Sequence, residues 1–214
     1  MPLPACRHAL ASALLALLAA SGAQAQTPAI VLTEPGPTFA SAPYTLGFAF
    51  SVLVDLQLVG LGVFDADGDG LEAAAQGALW RDDGPDALVQ AVVPDGTQAV
   101  LDGHFRFAPV DAVLLKPGVT YLAGAYLDGG LGTSFGIEAT GAASVDPRIQ
   151  MLGDRFGDGF IELAYPSQSD GWNGAWLGAN LLLAPVPEPA PAALLAAGLA
   201  ALAWRRRGAG VLAR

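Results

Sequence analysis

The stretch that decides the fold is Tyr44-Thr45-Leu46-Gly47-Phe48-Ala49-Phe50. Its large apolar side chains occupy every second position, so they would share one face of an extended strand. The same period of two recurs at 104–107, where it predicts that Phe105 and Phe107 point toward an interior. Alternation of this kind predicts β-strands with a buried face.

Short apolar runs separated by Gly, Pro and Asp continue along most of the chain. A helix is predicted only at Leu71–Gln76, and it is short. Many short strands with turn residues between them are typical of an all-β sandwich, and we predict one β-sandwich domain at residues 26–185. The predicted strands are Tyr44–Phe50, Leu53–Phe64, Ala78–Arg81, Ala87–Val93, His104–Phe107, Thr120–Leu127, Ser134–Glu138, Phe160–Ala164 and Ala175–Leu183.

The first 25 residues have the composition of a secretory signal peptide. A basic start at Arg7 is followed by an apolar stretch at 9–20 and by Ala23-Gln24-Ala25, after which cleavage is expected. The single cysteine of the chain, Cys6, precedes the apolar stretch and is removed with the signal. The mature chain therefore has no disulfide, and its stability must come from a packed core.

The C-terminal end combines three features in order. A proline-rich segment, Val186-Pro187-Glu188-Pro189-Ala190-Pro191, comes first, an apolar stretch follows to Trp204, and Arg205–Arg207 come last. Proline fixes φ and lacks an N–H group, so the first segment should stay extended and accessible to another protein. The apolar stretch, predicted as a transmembrane segment at 190–204, is shorter than the ~20 residues of a stable span. The arginines should keep the tail at 208–214 in the cytoplasm.

This tail resembles the PEP-CTERM sorting signal of Gram-negative bacteria, which the membrane enzyme exosortase recognises. The resemblance implies that residues 186–207 hold the exported protein in the inner membrane for a time, with its N-terminus periplasmic, until exosortase cleaves near the motif. The expected destination is the cell surface or the extracellular space. An Ala-rich amphipathic or buried helix is the alternative for the apolar stretch. The motif residues are Pro187, Glu188, Pro189, Arg205, Arg206 and Arg207.

The region between the two terminal signals is strongly acidic. Nineteen Asp and Glu residues but five Arg and Lys residues lie between Gln26 and Val186, which gives a net charge of −14. Nucleic acids and anionic membrane surfaces are bound through Lys and Arg, so this charge argues against both as partners. It is compatible with divalent cations, or simply with solubility outside the cell.

A second set of short motifs spans residues 39–184. The motifs are residues 44–50, Leu61–Asp65 with Gly68–Leu71, Gly77–Trp80, Phe105–Phe107, Leu115–Tyr121 and Asp146–Ile149. Their order looks like that of extracellular jelly-roll modules found in PEP-CTERM proteins, which have no assigned enzymatic activity. This resemblance implies a fold and a location but no reaction.

The sharpest candidate site is Asp65-Ala66-Asp67-Gly68-Asp69-Gly70-Leu71-Glu72. Carboxylates at alternate positions followed by glycine are what a Ca²⁺ loop requires. The twelfth position, where an EF-hand has glutamate, is Gln76, so the stretch is not an EF-hand. Ca²⁺ is the only cofactor that these residues suggest, with Asp65, Asp67, Asp69 and Glu72 as ligands. A solvated Asp/Gly turn is the alternative.

Two tryptophans suggest a sugar site. Trp172 and Trp176 flank Asn173-Gly174, and an exposed aromatic ring beside polar loop residues can stack on a pyranose. Packing of both rings at an end of the sandwich is the alternative. The neighbouring acidic stretch at 153–159 predicts a turn between strands.

Catalytic constellations find little support in the sequence. His104 is the only histidine of the mature region, no Gly-x-Ser-x-Gly motif accompanies it, and no cysteine is left for a nucleophile or zinc. We therefore expect a non-enzymatic surface or matrix protein, structural or adhesive in an exopolysaccharide or biofilm setting. Exosortase and the secretion machinery are the expected partners. The alternatives are a Ca²⁺-dependent carbohydrate-binding module and, third, a hydrolase.

Overall fold

Antiparallel β-strands dominate the computed structural model of the chain. The structure describes residues 25–40, 44–126, 131–136, 143–157, 162–172, 174–187 and 198–199. Fifteen strands lie within these ranges, and every pairing between them is antiparallel. Residues 25–186 form one compact unit, and the strands described below all belong to it.

Ten of the fifteen strands form two five-stranded sheets, and the bounds of all fifteen are given first. The strands are β1 (Thr27–Pro28), β2 (Ile30–Leu32), β3 (Phe39–Ala40), β4 (Thr45–Val52), β5 (Leu56–Phe64), β6 (Ala75–Arg81), β7 (Ala87–Val93), β8 (Val100–Asp102), β9 (Phe105–Leu115), β10 (Thr120–Tyr126), β11 (Leu131–Gly136), β12 (Ala143–Val145), β13 (Ile149–Gly157), β14 (Gly174–Leu177) and β15 (Ala179–Pro185). The first large sheet has the order β1-β15-β5-β9-β8, and the second has the order β13-β4-β10-β6-β7. The orders β14-β11-β3 and β12-β2 describe two smaller sheets.

The two large sheets pack against each other around a main hydrophobic core. Strand β5 of the first sheet contacts β6 and β7 of the second, β9 contacts β7, and β15 contacts β10. Burial of apolar surface is the main favourable contribution to folding, and this core supplies it. The buried members of the core include Phe48, Phe50, Leu79 and Tyr121 from the second sheet and Leu58, Leu61, Phe64, Phe105, Phe107, Leu181 and Leu183 from the first.

The stretch that decides the fold has two buried faces rather than one. Strand β4 (Thr45–Val52) turns Phe48 into the main core, as the alternation predicts. On the opposite face Ala49 is also fully buried, because it belongs to a second apolar cluster against which Leu163 and Tyr165 pack. Tyr44 precedes the strand and is 36% exposed, so the prediction that it continues the buried face is wrong.

The all-β prediction is confirmed, although some predicted boundaries and the predicted helix are wrong. Strand β5 begins at Leu56, because residues 53–55 connect it to β4 outside the ladder. The helix predicted at Leu71–Gln76 does not form. Instead Leu71 makes an isolated bridge with Gly96, and β6 begins at Ala75.

Three further differences lie in the C-terminal half. The predicted strand Ala175–Leu183 is two strands, β14 and β15, which are separated by a turn at Gly178. The described residues of the predicted strand Phe160–Ala164 are not in a strand. The turn predicted at 153–159 is wrong as well, because β13 continues as a strand to Gly157.

The predicted terminal signals lie almost entirely outside the described residues. The signal peptide at 1–25 is described only at its last residue, and the transmembrane segment at 190–204 only at residues 198 and 199. Among the residues that the structure describes, no helix is long and apolar enough to cross a membrane. The signal peptide and the transmembrane segment therefore stay predictions.

Candidate functional site

The loop that follows β5 carries the three aspartates of the predicted Ca²⁺ site. Its first residue is fixed to β9, because the backbone N–H of Asp65 donates to the carbonyl of His104 at 2.9 Å. Gly68 and Gly70 have φ values of +76° and +129°, which residues other than glycine rarely adopt. A bridge from Leu71 to Gly96 ends the loop. The sequence folds here as a tight, glycine-dependent turn.

Arg106 of β9 provides the positive charge inside this loop. Its Nε donates to Asp65 Oδ2 at 2.5 Å, and the side chains of both residues are almost completely buried. Its Nη2 donates to the carbonyl of Gly68 at 2.8 Å, and its Nη1 donates to the carbonyl of Ala99 at 3.1 Å. The guanidinium therefore binds both the first carboxylate and the backbone of the loop.

Both carboxylate oxygens of Asp65 have partners within the protein. Oδ1 accepts the backbone N–H of Gly68 at 3.1 Å, and Oδ2 accepts Arg106. A buried ion pair needs these additional hydrogen bonds to offset the cost of removing both charges from water. The arginine thus occupies the role that a bound cation would have beside Asp65.

Asp67 and Asp69 are exposed and interact with each other. The oxygens of these two residues and of Asp65 lie within 4.8 Å of one another, so the structure brings three of the four predicted ligands together. Glu72 is exposed and lies outside this group. A hydrogen bond with Asp67 and the negative charge of Asp67 raise the pKa of Asp69, while the same hydrogen bond lowers the pKa of Asp67.

The predicted sugar site lies in a loop that is held by a buried aspartate of β13. Asp154 is fully buried, and it accepts hydrogen bonds from the hydroxyl of Ser169 at 3.1 Å and from the backbone N–H of Asp170 at 2.8 Å. It also accepts a hydrogen bond from the backbone N–H of Trp172 at 2.9 Å. A β-bulge between Met151 and Gly153 shifts the alternation of β13 by one residue. Asp154 therefore lies opposite Phe48, a core residue of β4.

The two tryptophans of the predicted sugar site contact each other. Their ring centroids are 5.2 Å apart with an interplanar angle of 45°. Trp172 is 36% exposed, whereas Trp176 is partly buried on β14. The ring of Trp172 lies close over Gly174, where a Cβ atom would be 2.5 Å from the ring. The structure brings the predicted pair together and leaves one ring accessible.

Sequence reasoning missed two residues that organise these loops. Arg106 lies between two core phenylalanines, and a lone basic residue in such a strand was the available signal for a buried partner. Asp154 gave no comparable signal, because the Asp and Gly residues around it are also the usual residues of turns.

The strands define an all-β protein. Comparison with protein families adds a C-terminal sorting motif. The family model of the PEP-CTERM protein-sorting motif matches residues 185–207. No curated protein matches the chain. The motif supports the prediction made for 186–207 and marks an exported protein that exosortase sorts to the cell surface.

Proposed function

We propose that the chain is a structural or adhesive protein of the cell surface or extracellular matrix, delivered there by exosortase. The match to the sorting motif at 185–207 carries this proposal. A jelly-roll-like sandwich is the fold that we assign to the delivered domain, since two antiparallel five-stranded sheets share one core. In this proposal the domain catalyses no reaction and acts in a biofilm or exopolysaccharide.

The position of the motif relative to the last strand supports a simple order of events. Strand β15 ends at Pro185, and Pro187 is exposed two residues later. All fifteen described strands end before the Pro187-Glu188-Pro189 triplet, so cleavage at or after the triplet would remove no described strand from the domain. The arginines at 205–207 would hold the uncleaved tail on the cytoplasmic side until then.

Replacement of Pro187, Glu188 and Pro189 by alanine tests the sorting step. We expect the variant to accumulate as a longer, membrane-retained form in cell fractions, because exosortase would no longer recognise it. A matched control replaces Glu34, Pro35 and Pro37, the same residue types outside the motif, and should be processed normally. Normal processing of the motif variant would contradict the proposal.

The exposed ring of Trp172 favours carbohydrate binding as a second candidate function. Asp154 holds the backbone N–H of Trp172, and the ring of Trp172 packs against that of Trp176. A preorganised aromatic surface of this kind can stack on a sugar. Trp172→Ala should reduce retention of the protein on exopolysaccharide from the producing cells, whereas Leu114→Ala, an exposed change on β9, should not. Equal retention of the two variants would exclude this site. Repeating the assay with Ca²⁺ and with a chelator tests whether the Asp65 loop contributes.

A further inference from the structure

The four outer edges of the two large sheets differ in how they are protected from pairing with another strand. Strand β1 has two residues, one of them Pro28, and β8 has three residues. The edge of β13 contains a bulge and is covered, because Phe156 exchanges two backbone hydrogen bonds with Gln168. Short strands, proline, bulges and covering loops are the usual devices that prevent strand addition.

Strand β7 is less protected, although its ladder with β6 has one irregularity, at Leu88, which has no partner on β6. Its seven residues, Ala87–Val93, include no charged residue and no proline, and it pairs with β6 on one side. Among the described residues no strand pairs with its other side. Backbone N–H and C=O groups along such an edge are available to a further strand.

The surface beside this edge is apolar and open. A groove of about 520 Å³ lies between β7 of one sheet and β8 and β9 of the other. Val92 and Val100 line it and are 60% and 72% exposed. Its other apolar walls are Ala91, Phe107, Ala108 and Pro109. An added strand would point every second side chain into this groove.

Acidic residues surround the apolar edge. Asp86 precedes β7 and Asp95 follows it, and both are exposed. Asp102 on β8 and Asp111 on β9 are exposed on the strands across the groove. Arg106, the basic residue of β9, is buried and neutralised by Asp65. We call these exposed carboxylates, which flank β7 and occur on the strands across the groove, the acidic rim. They favour a partner with positive charge at its ends.

A second copy of this chain does not fit these charges. Antiparallel pairing of two β7 strands about Gln90 would place Asp86 of one copy opposite the second copy's Pro94 and next to its Asp95. Like charges in such positions oppose association.

We propose that β7 binds an extended segment of another protein, which adds to the second sheet as a sixth strand. The segment has alternating apolar side chains that enter the groove and basic residues at both ends. Main-chain hydrogen bonds supply affinity, and the groove and the acidic rim select the partner. This inference goes beyond the sorting function and does not depend on it.

Two labelled peptides test the proposal with the full chain in mild detergent. The first, Lys-Lys-Thr-Val-Thr-Val-Thr-Val-Lys-Lys, has the proposed pattern, and the second has glutamate in place of every lysine. We expect the lysine peptide to bind at least about tenfold more tightly in fluorescence anisotropy, a difference that corresponds to about 1.4 kcal/mol. Amide exchange of β7 should slow when it binds.

Three variants locate the binding. Val92→Lys should weaken binding of the lysine peptide about tenfold or more, because it places a positive charge in the groove. Asp86→Asn combined with Asp95→Asn should remove most of the preference for lysine over glutamate. Leu114→Lys, an exposed change on β9 outside the groove, should change neither.

Three results would overturn the proposal. They are absence of binding of the lysine peptide up to about 1 mM, equal binding of the two peptides, and self-association of the chain that Val92→Lys abolishes. The last result would assign the edge to a second copy of the chain.

Discussion

Two buried aspartates hold two loops of this protein in different ways. Asp65 is paired with the guanidinium of Arg106, which lies 41 residues further along the chain on β9. Among the described residues, the donors to the Asp154 carboxylate are a hydroxyl and two backbone N–H groups of the loop that it holds, and none of them is a cation. The loop after β5 thus depends on a charge from elsewhere, whereas the loop that carries Trp172 supplies its own donors.

The comparison predicts different costs of breaking each arrangement. Removal of one partner of a buried ion pair leaves a buried charge without compensation, which costs more than leaving polar N–H groups without their acceptor. The three predictions below test this difference, from the largest expected effect to the smallest.

Arg106→Met should have the largest effect. It leaves the buried carboxylate of Asp65 without its cation and two backbone carbonyls without donors. We expect the free energy of unfolding to fall by about 3–5 kcal/mol, measured by chemical denaturation at neutral pH. Addition of Asp65→Asn to this variant should recover part of the loss, because no buried charge remains. Additive losses in the double variant would show that the two residues are not coupled.

Asp154→Ala should have an intermediate effect that is concentrated in one loop. The N–H groups of Asp170 and Trp172 lose their acceptor, and we expect a loss of about 1–3 kcal/mol. Amide exchange at 169–172 should accelerate and the tryptophan fluorescence should change. Asp170→Asn is the control, because Asp154 binds the backbone of that residue and not its side chain. Unchanged exchange in the Ala variant would contradict the anchoring role of Asp154.

Asp69→Asn should have the smallest effect and the opposite sign. The hydrogen bond with Asp67 and, next, the negative charge of Asp67 raise the pKa of Asp69, so the ionised form of Asp69 disfavours the folded state at neutral pH. The variant should therefore have a slightly higher denaturation midpoint at pH 7. This gain should disappear as the pH falls through the raised pKa, since the native Asp69 is then protonated as well. A lower midpoint at pH 7 would show that the two carboxylates hold the loop together.

The sequence predicts the all-β fold class, but it predicts only part of the contacts that organise the two candidate sites. Alternation at 44–50 and at 104–107 identifies core strands, because apolar side chains on one face must be buried. It fails at β13, where a bulge shifts the alternation and a polar loop covers the edge. The period of two carries no information on such coverage, since the covering residues are distant in sequence.

The same reason limits what the acidic motif shows. The spacing of the motif correctly predicts that Asp65, Asp67 and Asp69 lie close together, because residues of one short turn are necessarily near one another. It does not show that Arg106 reaches the first carboxylate, because the register between β5 and β9 decides that contact. A motif therefore locates carboxylates more reliably than it locates the cation that neutralises them.

The position of β15 has a mechanical consequence for a protein held by its C-terminal end. This last strand is not at an edge, since it pairs with β1 on one side and along seven residues with β5 on the other. A pull on the tail would act along β15 and stretch many hydrogen bonds of the sheet at once instead of opening them one after another. The forced-unfolding rate should accordingly be low when the force is applied at the C-terminal end of β15.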